Sequence, residues 1–295
     1  EPVHGQYRGY DVYAMSPPSS GGAHIVQMLN ILEGYDIHAM GFNSARTIHV
    51  MSEAMKRAYA DRAEYLGDTD FVDVPLAGIT SKAYADELRQ QIGMDRATPS
   101  SDIAAGNLLP YESNETTHFS IADDSGLAVS NTYTINFSYG SGIVVDGAGF
   151  LLNNEMDDFS AKPGTPNAYG LIGGEANRIE PEKRMLSSMT PTIVKKDGRN
   201  FLVTGSPGGS RIITTTLQVV MNVIDHGMNI QSAVSAPRIH DQWLPDEIRI
   251  EDGISPDTIA LLEAMGHTVS QQEAMGAAQS ILIEDDGNFT GGADP

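Results

Sequence analysis

The chain has 295 residues, of which 40% are hydrophobic and 19% charged, a balance that excludes a wholly disordered or collagen-like protein. Its 39 acidic and 18 basic side chains give a formal net charge of −21, which argues against nucleic acid or anionic lipid as a partner. No apolar stretch approaches the length of about 18 residues that a membrane span needs, and the absence of cysteine excludes disulfides, thiolate metal sites and cysteine nucleophiles.

The first part of the chain is predicted to be mostly helical. Helices are expected over residues 23–33, 48–65 and 81–93, the second of them from apolar residues spaced by three and four. Arg62 interrupts that apolar stripe, so its charge must reach solvent or find a partner. Residues 94–114 are rich in Ser, Pro, Asn and Asp and are predicted to form a surface loop or linker.

From Thr116 onward the pattern changes to strands. Residues 124–126 (Asp-Ser-Gly) are predicted to form a three-residue hairpin loop, and counting back from it places Thr134 opposite Thr116. Alternation then puts small and polar side chains on one hairpin face and apolar ones on the other. The apolar face is predicted to be core and the polar face a site. The polar set is Ala128, Ser130, Thr132, Thr134 and Asn136, and the apolar set is Leu127, Val129, Tyr133 and Ile135.

The rest of the chain mixes hairpins and helices. Asp197-Gly198 and Asp286-Gly287 each indicate a hairpin turn. A helix over residues 211–226 is apolar nearly all round and should be buried, and another should follow Ser255-Pro256. Helices, paired strands and helices again predict an α+β layered architecture with antiparallel sheets.

Two features could carry chemistry. Gly208-Gly209, at the entrance of the buried helix, leaves backbone N–H groups uncovered where the helix terminus adds positive potential. The pair either holds an oxyanion or carboxylate, or forms a tight loop against a sheet. Thr116, which follows a cleavable loop and lies beside Thr134, is either an ordinary strand residue or a nucleophile whose freed α-amine serves as general base. His118 and His240 are predicted to be structural.

Longer segments, in a fixed order, add to this pattern. They are Tyr7-Arg8-Gly9-Tyr10, Pro17-Pro18-Ser19-Ser20-Gly21-Gly22, Tyr59-Ala60-Asp61-Arg62, Tyr65-Leu66-Gly67-Asp68, Thr116-Thr117-His118-Phe119-Ser120, Leu151-Leu152-Asn153-Asn154-Glu155-Met156-Asp157-Asp158-Phe159, Ser187-Ser188-Met189, Gly205-Ser206-Pro207-Gly208-Gly209-Ser210-Arg211 and Asp241-Gln242-Trp243-Leu244-Pro245-Asp246. With these segments the chain resembles the γ-glutamyltranspeptidases, N-terminal-nucleophile hydrolases that cleave themselves into a large and a small subunit. The resemblance implies a four-layer αββα sandwich. It also implies that residues 1–115 are the C-terminal part of the large subunit and residues 116–295 most of the small subunit.

The resemblance also implies site residues, position by position. Thr116 resembles the nucleophile, freed by autocleavage of the Glu115–Thr116 bond, and Thr134 the supporting threonine. Gly208 and Gly209 match the oxyanion hole, and residues 163–174 the lid loop. The groups that match the substrate's α-amine site are Asn136, Glu155 and Asp158, and those that match its α-carboxylate site are Ser187 and Ser188.

The activity that the resemblance implies is γ-glutamyl transfer from glutathione and similar compounds to water, amino acids or dipeptides, with no metal or organic cofactor. The subunits would pair as a heterodimer after cleavage, in the periplasm or outside the cell. Because the family's large subunit extends upstream of Glu1, we expect the chain to be a fragment that lacks the family's carboxylate-binding arginine. Glu155 replaces the Gln of some bacterial members. The alternatives are a glutaryl-cephalosporin acylase, a capsule-type γ-glutamyl transferase, or an inactive unprocessed precursor fragment.

Overall fold

A computed structural model of the chain describes residues 1–103, 116–168 and 170–295. The strands are β1 (Val3–Tyr7), β2 (Tyr10–Ala14), β3 (Thr117–Ala122), β4 (Ala128–Tyr133), β5 (Thr192–Lys196), β6 (Arg199–Thr204), β7 (Ile239–His240), β8 (Ile248–Ile250), β9 (Val269–Gln271), β10 (Gln279–Ile283) and β11 (Phe289–Ala293). The α-helices are α1 (Gly21–Leu32), α2 (Ile37–Met40), α3 (Ala45–Tyr65), α4 (Leu76–Ile79), α5 (Lys82–Gln90), α6 (Arg211–Ile224), α7 (Ile230–Ser235) and α8 (Pro256–Ala264). Short 3₁₀ turns cover Ser100–Asp102, Glu155–Asp158 and Glu175–Asn177.

The main sheet of the described residues has six antiparallel strands in the order β1-β2-β5-β6-β10-β11. Two of its hairpins turn through residue pairs with positive φ, Arg8-Gly9 (49° and 85°) and Asp197-Gly198 (51° and 77°), the conformation that twisted two-residue hairpins require. The second turn was predicted, as was the hairpin at Gly287. The first was missed, so strands from the predicted helical part join strands from the rest of the chain in one sheet.

Helices α1 and α6 cover one face of this sheet. Four residues that pair with one another across β2, β5, β6 and β10 point their side chains to that face. They are buried in the same apolar core as the two helices. These residues are Val12, Val194, Leu202 and Leu282. The predicted burial of the helix that begins at Arg211 is confirmed, because every residue from Arg211 to Val223 is buried.

Helix α3 packs against α1 and begins at Ser44, whose Oγ accepts a hydrogen bond from Thr47 N–H at 3.2 Å. A small sheet of β7, β8 and β9 contacts α3, α6 and α8. None of the helices in the described ranges combines the length and apolar character that crossing a membrane requires.

The β3–β4 hairpin packs on the other face of the main sheet through its polar side chains. Ser130 Oγ donates to Thr204 O at 2.8 Å and accepts from Thr192 N–H at 2.9 Å, and Ser120 Oγ donates to Gln279 O at 2.9 Å. Hydroxyls on this face therefore satisfy backbone groups of β5 and β6 and of Gln279 at the start of β10. The helices, the main sheet and the hairpin therefore stack as successive layers of an α+β sandwich.

The prediction that the apolar hairpin face is core is wrong for the described residues. Leu127 is 69% exposed, Tyr133 59% and Val129 48%. Alternation correctly separates the two faces, but it does not tell which face has a neighbour. Here the main sheet packs against the polar face of the hairpin, because the unpaired backbone groups of that sheet need hydroxyl partners.

The predicted surface loop after residue 93 is partly tied to the core. Trp243 Nε1 donates to Ser100 O at 3.0 Å and to Ile103 O at 3.2 Å. Ser100 is 2% exposed, and Ala97 N–H donates to Met265 O at 2.8 Å. The part of this prediction that covers residues 104–114 lies outside the described residues, as does Glu115.

Candidate active site

Thr116 immediately precedes β3 and lines a pocket together with residues of the hairpin, of neighbouring loops and of the start of α6. The hairpin register is the predicted one: Thr117 pairs with Tyr133 and His118 with Thr132, which leaves Thr116 opposite Thr134. Thr116 Oγ1 donates to Thr134 Oγ1 at 3.3 Å. Thr134 Oγ1 also accepts from the backbone N–H of Asn136 at 2.9 Å, so the chain's own turn fixes the hydroxyl next to Thr116.

The pocket gathers seven of the nine side chains or glycines that the sequence singled out. These are Thr116, Thr134, Asn136, Asp158, Ser187, Ser188 and Gly209, and the pocket's other wall residues are Leu171, Met189 and Ile212. Glu155 and Gly208 do not line it, although each lies in the same short segment as a residue that does. The catalytic and binding roles of all nine stay predictions.

Asp158 makes part of the pocket lining acidic. Burial raises the pKa of Asp158 to about 8, and the charges of Glu155 and Asp157 push it in the same direction while Arg62 opposes them. Burial also raises the pKa of Glu155. Asn136, at φ 75°, also lines the pocket, and its Nδ2 donates to Asn154 O at 3.2 Å. Carboxylates and an amide at one point are acceptors for a cationic group, and an arriving ammonium would favour ionisation of Asp158.

The pocket lining also presents serine hydroxyls. Ser187 is held by the turn before α1, because its N–H donates to Pro18 O and its carbonyl accepts from Ser20 N–H, both at 2.9 Å. Ser188 Oγ accepts a hydrogen bond from Arg62 Nη2 at 3.1 Å. The sequence predicted that the charge of Arg62 reaches solvent or finds a partner. In the structure it lies behind the pocket, next to Ser188.

The Gly208-Gly209 pair precedes α6 with φ values of 129° and 55°, a region that side chains other than glycine rarely occupy. The carbonyl group of each peptide that carries one of these glycine N–H groups is hydrogen-bonded. Pro207 O accepts from Ser206 Oγ at 2.7 Å, and Gly208 O accepts from Arg211 N–H at 3.0 Å. In a trans peptide the N–H and C=O point in opposite directions. Fixing these two carbonyls therefore fixes the directions of the Gly208 and Gly209 N–H groups, as an anion-binding loop requires.

Comparison with known proteins identifies the family. The γ-glutamyltranspeptidase family model matches residues 1–295. The chain belongs to the γ-glutamyltranspeptidase family. It is 60% identical over 294 residues to the glutathione hydrolase proenzyme of Escherichia coli, a match that covers all of this chain and 51% of that protein. The chain thus spans about half the length of the curated relatives it matches.

Solved structures agree with this family and with the predicted fold class. A γ-glutamyltranspeptidase mutant from Helicobacter pylori is 61% identical with a TM-score of 0.59, over 61% of this chain and 98% of that chain. A cephalosporin acylase from Bacillus halodurans is 26% identical with a TM-score of 0.82, over 100% of this chain and 51% of that chain. The predicted αββα sandwich of the N-terminal-nucleophile type is confirmed by these likenesses.

The segment that matches the lid of γ-glutamyltranspeptidases forms a closed turn beside the pocket. Gly164 N–H donates to Gly173 O at 3.0 Å, and Gly174 N–H donates to Ala63 O on α3 at 2.7 Å. Leu171 reaches the pocket wall from this turn. Tyr169 lies outside the described residues, and movement of the segment stays a prediction.

His118 and His240 are buried and hydrogen-bonded within the protein, in agreement with their predicted structural roles. His118 Nδ1 lies 2.7 Å from Thr132 Oγ1, and burial lowers its pKa to about 4. A Cβ built on Gly205 would lie 2.3 Å from the His118 ring, so this contact between hairpin and sheet requires glycine. His240 Nε2 lies 2.9 Å from Gln242 Oε1, and burial lowers its pKa to about 3.

A buried His-Glu-His cluster joins two residues of α3 to His267, which follows α8, and none of the three lines this pocket. His49, Glu53 and His267 each offer a ligand atom, and these atoms lie within 4.8 Å of one another. Each atom already has a partner, because the two rings contact each other at 2.7 Å and Glu53 accepts from Thr98 N–H at 2.8 Å and from Arg57 at 2.7 Å. The cluster is therefore satisfied without an ion. The separation of 218 residues between the two histidines hid it from sequence analysis.

Proposed function

We propose that the protein carrying this chain transfers γ-glutamyl groups from glutathione and related γ-glutamyl amides, through an ester on Thr116, to water, amino acids or dipeptides. The observation that carries this proposal is the pocket itself. The residues lining one pocket include the Thr116 hydroxyl, a carboxyl acceptor at Asp158 and hydroxyl donors at Ser187 and Ser188. Such an arrangement suits an α-amino acid, whose ammonium and carboxylate need opposite partners.

In the first step, Thr116 Oγ attacks the γ-carbonyl carbon of the substrate. The free α-amine of Thr116 takes the hydroxyl proton, an O–C bond forms, and the proton is passed to the departing amine as the C–N bond breaks. The N–H groups of Gly208 and Gly209 stabilise the tetrahedral oxyanion, at roughly 3 kcal/mol per donor by analogy with other oxyanion holes. Thr134 orients the attacking hydroxyl.

In the second step, the ester is broken by an acceptor. Water yields glutamate, whereas the amine of an amino acid or dipeptide yields a new γ-glutamyl amide. In both cases the acceptor's proton returns through the Thr116 amine and the hydroxyl is regenerated. No part of this cycle changes an oxidation state.

The α-amine must first be released by cleavage before Thr116. We propose that Thr116 Oγ attacks the carbonyl carbon of Glu115, that the peptide C–N bond breaks to leave an ester, and that water hydrolyses it. Two comparisons support this. The Escherichia coli relative is named a proenzyme, and the solved Helicobacter pylori chain matches 61% of this chain. Residues 116–295 are 180 of 295 residues, which is also 61%. The two products would remain paired, since β2 and β5 hydrogen-bond across the cut.

The test is the intact mass of the denatured full-length protein together with its γ-glutamyl amide hydrolysis. We expect two species that divide at Glu115–Thr116, and loss of both cleavage and turnover in Thr116→Ala. Thr117→Ala is the matched control, because Thr117 is the exposed neighbour on the same strand. Cleavage that persists in Thr116→Ala would show that the nucleophile is misassigned.

The substrate's α-amine distinguishes the proposed function from the acylase alternative. The Bacillus halodurans neighbour is a cephalosporin acylase, and a glutaryl amide lacks the ammonium that Asp158 and Glu155 would bind. We expect higher activity on a γ-glutamyl amide than on the matching glutaryl amide, and the reverse order would favour the acylase. A periplasmic or secreted location stays a proposal that cell fractionation tests.

A further inference from the structure

Arg62 is a buried cation beside the pocket that has no part in the chemistry proposed above. It lies in the last turn of α3 and is 4% exposed. Its Nε donates to Ser20 Oγ at 2.9 Å and its Nη2 to Ser188 Oγ at 3.1 Å. Within the described residues its guanidinium forms no ion pair, whereas the buried Arg57 and Arg238 each pair with a glutamate.

The direction of these hydrogen bonds determines which group Ser188 presents to a ligand in the pocket. Arginine can only donate, so Ser188 Oγ is the acceptor and keeps its own hydroxyl proton for a third group. Ser187 is arranged in the same way, since its Oγ accepts from Met189 N–H at 3.1 Å. Both serines line the pocket. The two serines therefore present two hydroxyl donors to the pocket, one of them polarised by a positive charge.

The charge balance points to an anionic ligand. Burial lowers the pKa of Arg62, while the charges of Tyr59 and Asp158 oppose that shift. A buried cation held only by neutral hydroxyls is costly unless a counter-charge arrives. Because burial raises the pKa of Asp158 to about 8, that carboxyl supplies little negative charge to the empty pocket at neutral pH. A carboxylate bound at the two serine hydroxyls would supply that counter-charge.

We infer that Arg62 is a specificity-determining and positioning residue for the α-carboxylate of the γ-glutamyl group. It holds the Ser188 oxygen so that the hydroxyl proton is left for that carboxylate, and it provides the positive charge behind it. Through Ser20, whose Oγ donates to Ser187 O at 2.9 Å, it also fixes the second serine. The inference rests on the proposed function and adds a residue that acts through the two serines rather than touching the substrate.

The test compares two ligands that differ only in the α-carboxylate. In the full-length protein, inhibition constants for L-glutamate and for 4-aminobutanoate are measured in the wild type, Arg62→Lys, Arg62→Gln and Ser188→Ala, and in the double variant Arg62→Gln/Ser188→Ala. Lysine keeps the charge but loses the planar fork, and glutamine keeps a donor but loses the charge. Arg57→Lys is the matched control, as a buried arginine on the same helix that pairs with Glu53.

We expect Arg62→Gln to weaken L-glutamate binding about 10-fold to 100-fold, the range of a lost charge-assisted hydrogen bond, and to change 4-aminobutanoate binding less than about twofold. The effect should shrink in the Ser188→Ala background and be absent in Arg57→Lys. Where a variant lacks turnover, calorimetric binding of both ligands replaces inhibition. Equal changes for both ligands, or none, would make Arg62 structural and overturn the inference alone. A wild type that neither binds L-glutamate nor hydrolyses γ-glutamyl amides would overturn the proposed function and this inference with it.

Discussion

The hydroxyls of Thr116 and Thr134 lie 3.3 Å apart, across the first residue pair that follows the hydrogen-bonded part of the β3–β4 ladder. Thr134 Oγ1 accepts from Asn136 N–H at 2.9 Å at the same time. The hydroxyl proton of Thr116 is thus directed across the hairpin to Thr134, which leaves the Thr116 oxygen oriented before a substrate arrives. This preorganisation comes from a local turn and needs no distant residue.

Thr134→Val should lower kcat with little change in KM. The variant keeps the volume of the side chain but removes the hydroxyl acceptor, and the loss of one hydrogen bond of about 1–3 kcal/mol corresponds to a decrease of roughly 5-fold to 150-fold. Thr134→Ser keeps the hydroxyl and should retain most activity. The measurement is steady-state hydrolysis of a γ-glutamyl anilide by cleaved protein. If valine and serine variants behaved alike, the hydroxyl pair would have no role in orientation.

Gly209→Ala should reduce kcat by about 100-fold or more if the glycine N–H groups bind the oxyanion. Alanine at φ 55° costs roughly 1 kcal/mol of backbone strain and turns the N–H away from its present direction. Gly198→Ala is the control, because its φ is 77° and its turn has no atom within 4 Å of an added Cβ. Both variants should lose similar stability in urea unfolding, whereas only the first should lose activity.

The ionisation of Asp158 should make ligand binding depend on pH. Because burial raises the pKa of Asp158 to about 8 in the empty pocket, binding of an ammonium group below that pH must release a proton. The inhibition constant of L-glutamate should therefore fall as pH rises from 6 to 8, by up to about tenfold per pH unit. Asp158→Asn should flatten this dependence.

Glutarate separates this effect from titration of the Thr116 amine. It carries both carboxylates of a glutamyl chain without the ammonium, so Asp158 has nothing to neutralise. Its inhibition constant should not improve between pH 6 and pH 8. Parallel profiles for L-glutamate and glutarate would place the titrating group elsewhere.

Local signals predicted the part of the site that the hairpin builds. The glycine turn at Gly126 and strand alternation are enough to place Thr134 beside Thr116, since both are properties of neighbouring residues. Asp158 and Ser188 carry no such signal, because a 3₁₀ turn and a loop become a site only through tertiary contacts. Their prediction depended on family resemblance.

Two errors have the same physical origin. The Leu127 face looked like core because it is apolar, but burial depends on which face a neighbour covers. The hairpin at Arg8-Gly9 was missed because Arg at φ 49° is an uncommon turn residue, so no local signal marks the turn, and the strand that follows it is held by pairing with β5. In both cases the deciding interaction is with a distant segment: the main sheet in the first, and β5 in the second.

The buried pair of His49 and His267 should make the protein less stable in acid. His49 Nε2 must donate to Gly93 O at 2.6 Å, so its Nδ1 accepts from His267 Nε2–H at 2.7 Å. Burial, with the charges of His49 and Lys56, lowers the pKa of His267 to about 4. Between pH 4 and the ordinary value near 6.5, the unfolded chain therefore binds a proton that the folded chain does not. The contribution of His267 to stability is present above about pH 6.5 and is lost as pH falls toward 4.

His267→Gln keeps an N–H donor for His49 but cannot titrate. On lowering the pH from 7 to 5, the variant should lose less free energy of unfolding than the wild type, by roughly 1–2 kcal/mol. Urea unfolding of the full-length protein at the two pH values measures the difference. His4→Gln, at a residue whose side chain is 46% exposed, is the control and should follow the wild type. If His267→Gln and the wild type lost the same free energy of unfolding in acid, other buried histidines would be responsible for the loss. His118 is the first of these to test, because burial lowers its pKa to about 4.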